Sequence, residues 1–168
     1  MTVGYDGAMS ERLSHIDDAG RARMVDISGK ADTAREAVAR GSVRMQPETL
    51  ALVLSDGIEK GDVIGTARLA GVMAAKRTHE LIPLCHPLLL TDIDVAIAPN
   101  EAEAALEIEA TVRTTGKTGV EMEAMTAVAI AALTVYDMCK AVDRGVRIDA
   151  VRLARKSGGK SGEISLEG

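Results

Sequence analysis

The sequence predicts an α+β fold: an antiparallel β-sheet with helices packed on one face. Three observations lead there. Ile93, Val95 and Ile97 alternate with Asp92, Asp94 and Ala96, and Leu106, Ile108, Ala110 and Val112 alternate with Glu107, Glu109, Thr111 and Arg113. Period-two alternation with one wet face marks an antiparallel pair. A helical stretch from about 120 to 141 has a middle, residues 124–135, without charge, so it is buried on most sides. Strand, helices, strand, strand, helix, strand is the order of elements, which is the split β-α-β pattern of a ferredoxin-like domain.

Taken in order, residues 1–20 have no steady period and contain Gly and charge. They read as a mobile arm, ordered at most against a partner. Residues 23–28 form a short strand candidate, and 33–41 look helical with Gly41 as the stop. A short strand at 43–45 leads to Pro47, which starts a helix over 47–54 from its first turn. A longer helix fits 62–81. Its small residues Gly65, Ala67, Ala70, Gly71, Ala74 and Ala75 let another backbone approach closely. Pro83 and Pro87 forbid regular helix over 82–87, so that segment is extended and rigid. The alternating strands follow, with a turn at 99–101. A last strand covers 146–153, placing Val146, Ile148, Ala150 and Arg152 on one face, and 156–162 is a Gly/Ser/Lys loop.

At 168 residues the chain makes one domain, 14–168, preceded by the arm 1–13. It buries roughly 70% of its unfolded surface and needs no staples. It has no Phe and no Trp; Tyr5 and Tyr136 are its only aromatic residues. The core is therefore built from Val, Ile, Leu, Ala and Met, each gaining little area, and self-association is expected to add burial. Stacking on nucleic acid is excluded on the same ground. A net charge of -5 argues against a general nucleic-acid binder and a polybasic membrane anchor. No apolar run reaches 18 residues free of charge, so no membrane-crossing helix is expected. With an N-terminus unlike a signal peptide, the chain reads as soluble and cytoplasmic. Cys85 and Cys139 lack framework spacing and are expected to stay reduced. His15, His79 and His86 do not pair with Cys at zinc spacing, so no metal is expected.

Five segments could carry chemistry. Thr-Gly-Lys-Thr-Gly-Val-Glu-Met-Glu (115–123) ends like a phosphate-binding loop, but position 111 is Thr where that loop needs Gly. Lys117 and Gly-flanked amides either meet an anion at a helix start or form a plain turn. Lys-Ser-Gly-Gly-Lys-Ser-Gly (156–162) either closes on phosphates or is a solvated loop. Asp137 and Lys140 share a helix face, as a surface ion pair or as a general acid–base pair. His86, held between two prolines, is structural or a positioned donor, while Cys85 reads as a packed small side chain. Lys60 precedes a helix and alone would be unremarkable.

Together these segments resemble the MoaC family, the cyclic pyranopterin monophosphate synthases of molybdenum cofactor biosynthesis. The stretches that carry the resemblance are 24–28, 60–63, 70–78, 81–88, 115–127, 136–141 and 156–162, within a span of about 14–166. The resemblance implies a lyase that converts 3′,8-cyclo-7,8-dihydro-GTP into cyclic pyranopterin monophosphate and releases diphosphate, with no cofactor. It implies a ferredoxin-like fold and a homohexamer, a trimer of dimers, with active sites at the dimer interface. By matching positions it makes Asp137, Lys140 and Lys60 catalytic. It gives the substrate pocket Leu84, Cys85, His86, Glu121, Met122, Glu123 and Lys156. Asp137 is then the proton acceptor, Lys140 its partner, and Lys60 and Lys156 counter triphosphate charge. Glu121 or Glu123 accepts hydrogen bonds from the base. A non-catalytic metabolite-binding module on the same fold is the competing class. Fourteen residues separate Glu123 from Asp137, about 21 Å along a continuous helix. They therefore touch opposite ends of the ligand, or the site joins Glu123 of one subunit to Asp137 of another.

Overall fold

A computed structural model describes residues 20–167; the arm expected at 1–13 lies outside the described residues. The elements are β1 (Thr33–Arg44), α1 (Pro47–Leu54), α2 (Val63–Lys76), α3 (Thr78–Leu81), β2 (Leu90–Asn100), β3 (Ala105–Gly116), α4 (Glu121–Cys139), β4 (Arg147–Ser157) and β5 (Ile164–Ser165). They build one sheet in the order β2-β3-β1-β4-β5, with every neighbouring pair antiparallel. Strand β3 lies between β1 and β2, which the α1–α3 segment connects, so the split β-α-β arrangement is present.

The helix expected over 33–41 is instead the start of β1. Ala, Arg and Glu favour helix locally, but β1 is the central strand, paired on one side with β3 and on the other with β4. Ladder pairing and burial of Ala37, Ala39 and Val43, all at 0% exposure, outweigh a weak intrinsic preference. Gly41 does not stop a helix; it makes room for α4. A Cβ there would fall 2.7 Å from Val128 Cγ1 and 3.2 Å from Val151 Cγ2.

The strand expected over 23–28 is also absent. That segment runs as an irregular strap ending in a turn, with the Lys30 amide donating to the Ile27 carbonyl (3.0 Å) and the Ser28 amide to Asp26 Oδ1 (2.8 Å). Helix α1 starts at Pro47 as expected. The helix expected over 62–81 is interrupted at Arg77, giving α2 and α3. Asp62 caps α2, accepting from the Gly65 amide (2.7 Å). The chain reverses over residues 101–104 rather than 99–101, through Ala104 at φ 48°.

Strand β4 runs four residues past its expected end, and its facing differs from the simple alternation. Two register shifts interrupt its pairing with β1, and Ala150 sits at φ 54°. A bulge there flips the alternation, so Val151 and Leu153 join the core while Ala150 and Arg152 are exposed.

Helices α2 and α4 cover one face of the sheet and pack on each other. Ala67, Gly71, Ala74 and Ala75 of α2 are buried there, as are Ala127 and Ala131 of α4. The opposite face is an ion-pair lattice: Arg40 with Glu109 (2.7 Å), and Arg113 and Arg155 with Glu36 (2.6 and 2.8 Å). By length and composition alone α4 would also suit a bilayer, although Glu121, Glu123 and Asp137 keep it from being a charge-free run. Here it is a core helix, with Val128, Ala131, Ala132 and Val135 at 0% exposure.

Candidate active site

The expected site residues fall into two groups at opposite ends of α4. At its C-terminal end, Asp137 faces solvent between two lysines. Lys60 comes from the turn before α2 and donates to Asp137 Oδ2 (2.7 Å) and to the Asp137 backbone carbonyl (2.8 Å). Lys140 reaches Asp137 Oδ1 (2.7 Å) from one helical turn on. Both ammonium groups also sit at the negative end of the helix dipole. Bonds from Lys140 and then Lys60 hold the Asp137 carboxyl down at about 2, and Asp137 in turn raises the Lys140 ammonium above its ordinary value. The Asp137–Lys140 pair thus favours its ionised form. The side chains of Asp137 and Lys140 are both half exposed.

At the N-terminal end of α4 lies a pocket of about 440 Å³. Leu84, Cys85 and His86 come to it from the proline-bracketed loop, and Glu121, Met122 and Glu123 from the first turn of α4. Lys156 of β4 pairs with Glu121 Oε1 (2.7 Å), so the pocket's edge is partly neutralised. Glu123 is only 4% exposed. Burial, with the Glu121 charge beside it, pushes its carboxyl up to about 7, and its own backbone amide only partly opposes this. Burial and then the Glu123 charge raise the Cys85 thiol, which keeps it a poor nucleophile.

His86 has a definite partner. Its Nε2 lies 2.8 Å from the Val25 carbonyl, which can only accept, so Nε2 carries a hydrogen and donates. That bond ties the 25–30 strap across the pocket, where Val25, Ile27 and Lys30 form part of the wall. Lys117 makes the second tie, donating to the Ser28 carbonyl (2.7 Å).

The sequence reading missed the strap and Lys30. A signal was present: the dipeptide Gly-Lys recurs at 29–30, 116–117 and 159–160, and only the last two were weighed. Among the described residues no three His, Cys, Asp or Glu side chains converge as a metal-ligand group. Cys85 and Cys139 are free thiols.

An α+β domain with an ionised Lys–Asp–Lys cluster and a separate acid-lined pocket has the groups an acid–base enzyme of anionic substrates needs. Comparison with known proteins narrows this. The model of the MoaC family matches residues 24–159. The cyclic pyranopterin monophosphate synthase of Roseiflexus sp. is 64% identical over 152 residues, 90% of this chain and 96% of that protein. That of Chloroflexus aggregans is 65% identical over 157 residues, covering 94% and 95%. That of Brucella ovis is 59% identical over 158 residues, covering 94% and 96%. The chain belongs to the MoaC family.

Proposed function

We propose that the chain is a cyclic pyranopterin monophosphate synthase of molybdenum cofactor biosynthesis. It is an enzyme acting on a nucleotide-derived substrate, 3′,8-cyclo-7,8-dihydro-GTP, and it releases diphosphate. The cyclic phosphate forms when a substrate hydroxyl oxygen bonds to the α-phosphorus. The bond from that phosphorus to the bridging oxygen breaks, and diphosphate leaves with the electron pair.

The observation that carries the reading is the Lys60–Asp137–Lys140 cluster. Its carboxylate is the proposed proton acceptor, freed when anionic substrate draws the lysines away. Lys140, held protonated, is the donor that returns a proton. Lys60 and Lys156 counter charge as point cations. The pocket of Leu84, Cys85, His86, Met122, Glu121 and Glu123 takes the base-derived rings. With no Phe or Trp in the chain, these rings rest on His86, Met122, carboxylates and backbone. Glu123, near neutral pKa, can meet them protonated or ionised.

The two groups belong to two copies of the chain in this proposal. Met122, Met125, Ala129, Leu133, Tyr136 and Lys140 recur at three- and four-residue steps, one stripe along α4. Met122 and Leu133 on it are 36% and 51% exposed, and Leu69 and Met73 of the adjoining α2 are 61% and 48% exposed. A twofold pairing along this stripe sets the Asp137 end of one α4 beside the Glu123 end of the other. Such dimers are the units of the proposed hexamer. A cytoplasmic location goes with the same proposal.

Diphosphate release from the cyclised substrate separates this from a non-catalytic binding module. Wild type is expected to turn over, with Lys60→Ala and Lys140→Ala at least about a hundredfold slower. Wild-type binding without turnover, where a known synthase is active, would sink the enzyme reading.

A further inference from the structure

The 25–30 strap faces its surroundings like a strand, yet it lies outside the five-stranded sheet. Val25 and Ile27 are half-buried, while Met24, Asp26 and Ser28 are exposed, which is the period-two facing of extended chain. Side chains, rather than a neighbouring strand, take two of its carbonyls: His86 that of Val25 (2.8 Å) and Lys117 that of Ser28 (2.7 Å). Val25, Ile27 and Lys30 nevertheless wall the acid-lined pocket. The shape of that pocket therefore depends on how the strap is held.

Lys117 is placed to hold it. The backbone on either side is pinned: the Gly116 carbonyl accepts from Arg35 Nε (2.9 Å), and Gly119 lies so close under the Glu121 carboxylate that a Cβ has no room there. From this base the Lys117 side chain crosses to a strap 89 residues away in sequence. Its charge also reaches Asp26, which is held below its ordinary value by hydrogen bonds from Ser28 and then by the charges of Arg23 and Lys117. Thr118 and Gly119 line the pocket, but Lys117 itself does not. A lysine that met a substrate anion directly would reach into that cavity. This one spends its ammonium on the strap, through a charge-assisted bond stronger than a neutral one.

We infer that Lys117 is a positioning residue: it latches the 25–30 strap to the β3–α4 turn and so sets one wall of the acid-lined pocket before substrate arrives. It touches neither substrate nor reacting atoms. With the strap ordered in the free protein, binding does not have to supply that ordering entropy. The pocket is that of the proposed synthase, and the kinetic half of the test rests on that reading.

Hydrogen exchange of the full-length, substrate-free protein, read segment by segment, tests the latch, with steady-state kinetics beside it. In Lys117→Met the amides of residues 25–30 are expected to exchange about tenfold faster, and those of β1 and α4 at the wild-type rate. KM for the cyclised substrate is expected to rise about tenfold with kcat within about threefold of wild type, because a lost wall weakens ground state and transition state alike. Lys117→Arg, which keeps the charge and the reach, is expected to restore both. Unchanged strap exchange overturns the inference, and a rise in KM without it makes Lys117 a direct substrate contact instead. Equal acceleration in β1 and α4 overturns it as the mark of a general stabiliser. A loss in kcat at unchanged KM overturns it as well, as does Lys117→Arg behaving like Lys117→Met. The exchange measurement needs no turnover. Its failure in an active enzyme removes the latch alone, whereas a wild type without turnover removes the synthase reading.

Discussion

Asp137 and Glu123 are both carboxylates on α4, yet their surroundings push them in opposite directions. Two ammonium groups hold Asp137 ionised, and burial drives Glu123 up to about 7 from its ordinary 4.5. The consequence for stability has a definite sign. A carboxyl with a raised pKa keeps in the folded state a proton that the unfolded chain has lost. Its favourable contribution is complete below about 4.5, falls as pH rises, and is gone above about 7. Between pH 5 and 8 wild type should therefore lose on the order of 2 kcal/mol relative to Glu123→Gln, measured by urea unfolding at the two pH values. Equal pH dependence in the two proteins would mean that Glu123 is not forced to carry a charge in a dry pocket. Single residues were legible in sequence where a motif was long enough to compare. His86 and Lys156 were picked out in this way. Their pairings with the Val25 carbonyl and with Glu121 were not, because each bond spans dozens of residues and depends on how the sheet folds.

At the scale of elements, periodicity succeeded where polar and apolar residues alternate strictly and failed where small residues blur the alternation. Strands β2 and β3 alternate because their outer face carries acids and arginines. Strand β1 lies between two neighbours under α4, and its Ala-rich first half has no alternation to betray it. Gly41 marks the cost of that central place. Adding a methyl at a position 2.7 Å from Val128 forces α4 or β4 to shift. Gly41→Ala should lower stability by about 1–3 kcal/mol with an unchanged denaturant slope. Gly29→Ala, with nothing within 4 Å, should stay within about 0.5 kcal/mol. A neutral Gly41→Ala would show that α4 does not bear on the sheet at this point. The bulge in β4 was equally hidden, since one inserted residue changes the facing of all that follow while the residue types stay ordinary.

At the scale of the whole molecule, the lack of Phe and Trp pointed to a core of small side chains packed at close spacing. The α2–α4 contact through Ala and Gly is that core. It leaves Leu69, Met73 and Leu133 in solvent on the outer flank of the same two helices. In the proposed dimer this flank joins the Lys–Asp–Lys cluster of one copy to the acid-lined pocket of the other. From composition alone, assembly is an expectation of more burial. Its geometry depends on which side of α4 stays open once the sheet is covered. The central claim is that each active site takes Asp137 from one copy and Glu123 from another. Co-assembly of Asp137→Asn and Glu123→Ala chains tests it most directly, because each mixed dimer then holds one doubly damaged site and one intact site. The account predicts that either variant alone is inactive and that the mixture recovers about a quarter of wild-type diphosphate release. A mixture that exchanges subunits yet stays as inactive as its parents would contradict it.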